Sequence, residues 1–149
     1  WNVKGMAFGP LHDLFQKIYE DHFIGQDDLA ERVRAIDAHA EGTLAGMIKR
    51  SKVDEHDGHA TDKEMIKIMQ DAQETLAATL AGCGELAALH GDTLTEDLCI
   101  ARGQVHEKFA WFLRSHLAYN RPLSSRHQSS LPRPSCRTFT HSPRSLPHT

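Results

Sequence analysis

Little in this chain points to a membrane, a disulfide scaffold or a zinc fold. None of its apolar runs approaches the roughly 18 residues of a membrane span. It does not open on the charged-then-apolar pattern of a secretory leader. Cys83, Cys99 and Cys136 are an odd, scattered set without CxxC spacing, which argues against a disulfide framework or a zinc site. They fit a reducing compartment, with Cys83 and Cys99 expected as packing residues. Proline is scarce where helices could form, since five of the six lie beyond Asn120. What remains is 149 residues, 25% charged and 40% hydrophobic, the composition of one soluble domain.

The most informative stretch is Pro10 to Ile36, PLHDLFQKIYEDHFIGQDDLAERVRAI. Leu11, Leu14, Phe15, Ile18, Phe23, Leu29, Ala30, Val33 and Ile36 recur every three or four residues, which predicts a long helix with an apolar stripe. Pro10 falls at its start, where a missing N–H is tolerated. The same helix carries His12, Gln16, Asp27 and Glu31, each able to offer a metal a nitrogen or an oxygen. At about 100° per residue, with His12 set to zero, Gln16 lies at about 40°, Asp27 at about 60° and Glu31 at about 100°. The four share one arc.

Along the helix axis, however, His12 and Glu31 are roughly 28 Å apart. One ion cannot touch both within one chain. Two copies lying antiparallel and crossing near residues 21 and 22 would bring His12 of one beside Glu31 of the other, with Gln16 opposite Asp27. A two-fold axis through the helix centre then makes two identical sites, each with ligands from both chains.

The rest of residues 1–119 continues the helical pattern. WNVKGMAFG is a lead-in whose Gly5 and Gly9 are expected to interrupt regular structure. After Ile36, DAHAEGTLAGMIKRSKVDEHDGHATD reads as a loop enclosing a short helix, Thr43 to Lys52. Thr61 or Asp62 can cap a further helix from Lys63 to Leu89, with Met65, Ile66, Met69, Ala72, Leu76, Leu80 and Leu86 on its apolar face. The helical phase of the methionines makes them core rather than soft-metal ligands. Gly82 and Gly84 mark a place where this helix can bend. His90-Gly91-Asp92 is a turn, and Thr93 or Thr95 opens a last helix with Glu96 and Asp97 in its first turn. Leu98, Ile100, Val105, Phe109, Phe112, Leu113 and Leu117 supply its apolar face.

Several polar residues invite chemical readings and receive plainer ones. His56 and His59 form an HxxH among Asp54, Glu55 and Asp57, read here as a solvated loop because no third partner is evident. His106 and Glu107 point about 100° apart on a helix and do not face one substrate; both are read as bundle packing. His22 lies near the proposed crossing and is read as a polar interface residue rather than a self-paired pH sensor. Gly25, which costs about 1 kcal/mol relative to alanine, is read as allowing close helix approach.

From Asn120 onward the character changes. NRPLSSRHQSSLPRPSCRTFTHSPRSLPHT contains no acid and five arginines: Arg121, Arg126, Arg133, Arg137 and Arg144. Residues 1–119 carry 12 Lys and Arg against 20 Asp and Glu, a net −8, whereas the tail carries +5. Proline excludes a helix there, and disorder is expected. One reading is a basic arm that binds DNA phosphates through avidity. The other is a frameshifted end of a truncated reading frame. The acidic body by itself would bind DNA poorly.

WNVKG, LH at 11–12, DDLAER at 27–32 and HEKFAWFLRSHL at 106–117 together resemble the Dps family, the DNA-protecting mini-ferritins, over about residues 1–118. The resemblance implies an all-α, ferritin-like four-helix bundle with a short crossover helix, assembled as a homo-dodecamer from two-fold dimers. The first bundle helix would be largely missing, because the chain opens inside a recognisable motif. It further implies a cytoplasmic, nucleoid-associated ferroxidase that oxidises Fe(II) with hydrogen peroxide, stores iron and protects DNA. His12 matches a family metal ligand, Asp27 and Glu31 match the pair from the facing subunit, and Trp1 matches the tryptophan near the iron site. Gln16 stands where the family commonly has Asp, a neutral oxygen in place of a charged one. A histidine that in the family precedes this tryptophan lies outside the sequence. Glu20, at about 80° on the same arc, is a candidate to compensate for Gln16. The alternative is a non-catalytic DNA-binding or structural cage protein with a weakened iron site.

Overall fold

The computed structural model describes residues 1–118 as four helices: α1 (Phe8–Ala35), α2 (Leu44–Arg50), α3 (Asp62–Leu89) and α4 (Thr93–Ala118). The basic tail expected to be disordered lies outside the described residues. No strand occurs among the described residues, and no helix there is long and apolar enough to cross a membrane.

Each helix end has a local cause. At Gly5 the backbone takes φ +78°, and Phe8 N–H donates to Gly5 O at 3.1 Å, so α1 starts two residues before Pro10. Gly9 was expected to interrupt structure but lies within the first turn. Burial of Leu11, Leu14 and Ile18 just beyond outweighs it, because each such side chain contributes about 1.5–3 kcal/mol against about 1 for one glycine. Arg32 and Arg34 occupy the last turn, where cations suit the free carbonyl ends. Asp37 then adopts the left-handed φ of +60°, and its N–H closes onto Arg34 O.

Thr43 caps α2 by accepting from Gly46 N–H at 3.2 Å, and the helix stops two residues short of Lys52. Of the two possible caps of α3, Thr61 is the one used. Glu64 reaches back to accept from Thr61 N–H at 2.7 Å while Thr61 Oγ1 faces Glu64 N–H, a reciprocal capping box. The Thr61 backbone N–H and hydroxyl hold the Glu64 carboxyl below its usual range. At the start of α4, Asp92 accepts from Thr95 N–H at 3.1 Å and pairs with Arg32 at 2.7 Å, while Arg32 Nε donates to Thr95 Oγ1 at 2.8 Å. One arginine therefore joins the last turn of α1 to the first turn of α4.

Packing follows from these ends. α3 and α4, joined through the turn at Gly91 (φ +72°), lie closely side by side, and α1 rests mainly on α4. α3 runs through Gly82 and Gly84 to Leu89, as its spacing predicted. A β-carbon built on Gly84 would lie 3.4 Å from Cys99 Cβ, so Gly84 is a place of close approach to α4. Val3, Leu11, Leu14, Ile18, Ile66 and Leu113 form the buried centre, with Met65, Met69, Phe109 and Phe112 against it. The methionines are core, as their phase predicted.

Candidate metal centre

The two sides of α1 have different fates. Leu11, Leu14, Ile18 and Gly25 are buried, and at about 100° per residue they span about 200–260° from His12. The opposite arc carries the candidate ligands. Gln16, Asp27 and Glu31 are exposed there and His12 is half-buried, its ring stacked on Phe8 with centroids 5.2 Å apart. Asp27 and Glu31 enter none of the ion pairs formed among the described residues. Gln16 Nε2 donates to Glu20 Oε1 at 2.7 Å.

Among the described residues, no group of three or more His, Cys, Asp or Glu is close enough to hold an ion. That agrees with a spacing of roughly 28 Å between the ends of the ligand set. Trp1 is fully exposed. Phe23, placed by its spacing in the apolar stripe, is 71% exposed and lies at about 20°, on the ligand arc rather than in the core. Ile24 beside it is 62% exposed. The ligand-bearing side of α1 is therefore uncovered and partly apolar.

The interior of the bundle holds a polar chain that crosses three helices. His106 Nδ1 lies 2.8 Å from Gln73 Oε1, and Gln73 Nε2 lies 3.2 Å from His22 Nε2. The amide geometry requires His106 to carry its proton on Nδ1 and His22 to accept through a bare Nε2. Arg102, 8% exposed, pairs with Asp21 through its two terminal guanidinium nitrogens, and its Nε–H finds no acceptor among the described residues. Burial, then the nearby His22 and Arg102, push His106 down to about 4. The ring is neutral at physiological pH.

His22 thus turns toward the bundle interior. Its phase of about 280° puts it on the buried arc, away from the ligands. Gly25 likewise serves an unexpected purpose, because an added β-carbon would stand 2.5 Å from the Arg102 guanidinium. It makes room for a side chain rather than for a helix backbone. The signal for this network was present in α3, where Gln70 and Gln73 occupy the buried phase shared with Ile66 and Leu80. His106 is buried and Glu107 exposed, so the two do not act together.

The remaining candidates divide cleanly. His56 and His59 are exposed in the loop before α3, where Gly58 N–H donates to His56 Nδ1 at 3.3 Å. Cys99 is buried, and that burial followed by the Cys83 thiol pushes it up to about 11. Cys83 is exposed, against the expectation of packing, because its neighbour Gly84 takes the inward position.

Long amphipathic helices, a short crossover helix and a His-and-carboxylate set along one of them define a ferritin-like protein. The family model for the ferritin-like domain matches residues 1–121. DNA protection during starvation protein 2 of Bacillus anthracis is 30% identical over 117 residues, covering 78% of this chain and 80% of that one. The X-ray structure of Dps from Thermosynechococcus elongatus superposes with a TM-score of 0.78 at 32% identity, over 84% of this chain and 80% of that one. The Dps protein of Vibrio cholerae O1, described as a member of a broad superfamily of ferritin-like diiron-carboxylate proteins, gives a TM-score of 0.74 at 29% identity, over 78% and 74%. The chain belongs to the Dps family of ferritin-like proteins.

Proposed function

We propose that two copies of this chain pair antiparallel along α1 and oxidise Fe(II) at two equivalent centres. Each centre takes His12 from one subunit and Asp27 and Glu31 from its partner. The observation that carries this reading is the uncovered arc of α1. Asp27 and Glu31 are exposed and enter no ion pair among the described residues, and Phe23 and Ile24 lie exposed just beyond the proposed crossing. Membership of a family that includes iron-storing, DNA-protecting proteins and diiron-carboxylate relatives supports the same chemistry.

A neutral imidazole and two carboxylates suit Fe(II), leaving coordination positions open for a second reactant. Hydrogen peroxide is the proposed oxidant. One peroxide takes an electron from each of two Fe(II), accepts two protons and leaves as two waters. The ferric product is stored inside a dodecamer built from such pairs, and consuming Fe(II) together with peroxide protects DNA. A cytoplasmic setting fits this role. Contact with DNA, if made by this chain, is assigned to the arginines of residues 120–149, because residues 1–119 carry a net −8.

Glu31→Gln keeps the size of the side chain and removes the charge. It should abolish iron-dependent peroxide consumption while leaving the mass of the assembly unchanged. A variant that consumes peroxide at the unmodified rate would remove Glu31 from the centre.

A further inference from the structure

We infer that Glu20 is a positioning residue of the iron centre, holding the Gln16 carboxamide so that its oxygen is the atom offered to the metal. The inference rests on the inter-subunit reading of His12, Asp27 and Glu31. Gln16 is the weak member of the ligand arc, since a carboxamide is neutral and presents either an oxygen or an NH2 group to whatever faces it. An NH2 turned toward the metal would repel it. The structure shows what decides the orientation: Gln16 Nε2 donates to Glu20 Oε1 at 2.7 Å.

The selection is chemical. An ionised carboxylate accepts hydrogen bonds and donates none, so Glu20 takes the amide nitrogen and leaves the amide oxygen for a cation. Glu20 sits one helical turn beyond Gln16, at about 80° on an arc that runs from about 0° for His12 to about 100° for Glu31. Its negative charge is therefore added on the same exposed side of α1. Together the pair supplies an oxygen ligand and a nearby negative charge, divided between two side chains. Antiparallel pairing sets Gln16 opposite Asp27 of the partner subunit, where a correctly turned oxygen completes the set. Carboxylates that orient a ligand in this way commonly change metal affinity by about 10–100-fold.

Surface residues four apart on a helix also form such bonds without any function, and the experiment separates the two cases. Co(II) binding to the full chain is titrated without oxidant, following the visible d–d absorption that reports coordination. Glu20→Ala is expected to weaken Co(II) binding by about tenfold or more and to change the spectrum. Adding Gln16→Asp to Glu20→Ala should restore tight binding, because a carboxylate at 16 has no amide to orient. Light scattering on each variant checks that the assembly is unchanged.

Native Co(II) affinity and spectrum in Glu20→Ala would overturn the inference and leave an ordinary surface pair. So would failure of Gln16→Asp to rescue the double variant. Glu31→Gln distinguishes the two levels. Loss of binding there with no effect of Glu20→Ala defeats only the role of Glu20. Absence of any effect from Glu31→Gln, or of Co(II) binding by the unmodified chain, defeats the inter-subunit centre and this inference with it.

Discussion

Gln73 is fully buried and its amide joins two histidines from different helices, with Oε1 toward His106 and Nε2 toward His22. Protonating His106 in place adds a charge near Arg102, which is itself buried. Because His106 is depressed to about 4 from an unfolded value of about 6.5, the unfolded chain binds the additional proton first. The contribution of His106 to stability is full above about pH 6.5 and falls as the pH drops toward 4. Thermal unfolding at pH 7 and pH 5 should show a larger loss in the unmodified protein than in His106→Gln. Equal losses would mean that the acid sensitivity lies elsewhere. The cysteines differ just as sharply. A thiol reagent at neutral pH should modify Cys83 and spare Cys99, which is buried and raised to about 11. Mass analysis of peptides decides this, and modification of Cys99 in the folded protein would contradict its burial.

At the scale of the helices, the ends are set by a few side chains and the faces by phase. α3 has both halves of a capping box, Thr61 and Glu64, with acids Asp62 and Glu64 in its first turn. Thr61→Ala removes the acceptor for Glu64 N–H and the hydroxyl that donates to Glu64 at 2.8 Å. The expected cost is about 1 kcal/mol, read as a lower denaturation midpoint in urea with an unchanged slope. A variant as stable as the unmodified protein would show that packing against α4 alone holds this end. The helices, the turn at His90–Asp92 and most of the core were legible from three-four spacing and turn residues. Asp92 as the cap of α4 was less so. Threonines at 93 and 95 compete with it in the sequence, and only its approach to Arg32 in space, at 2.7 Å, reveals its second duty.

For the whole molecule, the exposed side of α1 sets the expectation. Phe23, Ile24 and Tyr19 are 71%, 62% and 50% exposed, and α2 adds Leu44 and Ile48 at 79% and 68%. An apolar surface of this kind in one chain favours association. Phe23→Glu places a charge beside the proposed crossing, where a register that sets 12 against 31 and 16 against 27 puts it opposite Glu20 of the partner subunit. The mass by light scattering should fall from a multimer of two-fold pairs toward single chains, and peroxide consumption should fall with it. An unchanged mass would show that α1 does not pair through this arc. Because His12 and Glu31 are separated by roughly 28 Å within a chain, assembly and chemistry should be lost together.

By itself the sequence determined where the helices run and that His12, Gln16, Asp27 and Glu31 share one arc, since spacing along a helix is angle around it. The family motifs could likewise be read directly from the order of residues. Tertiary structure decided which way each residue faces its neighbours. It turned His22 inward to Gln73, reserved Gly25 for the Arg102 guanidinium, moved Phe23 out of the core and joined Gln16 to Glu20. The physical reason is that phase repeats along one helix, whereas hydrogen bonds and close approach depend on where the other helices lie. Those distances are not written in any single stretch of the chain.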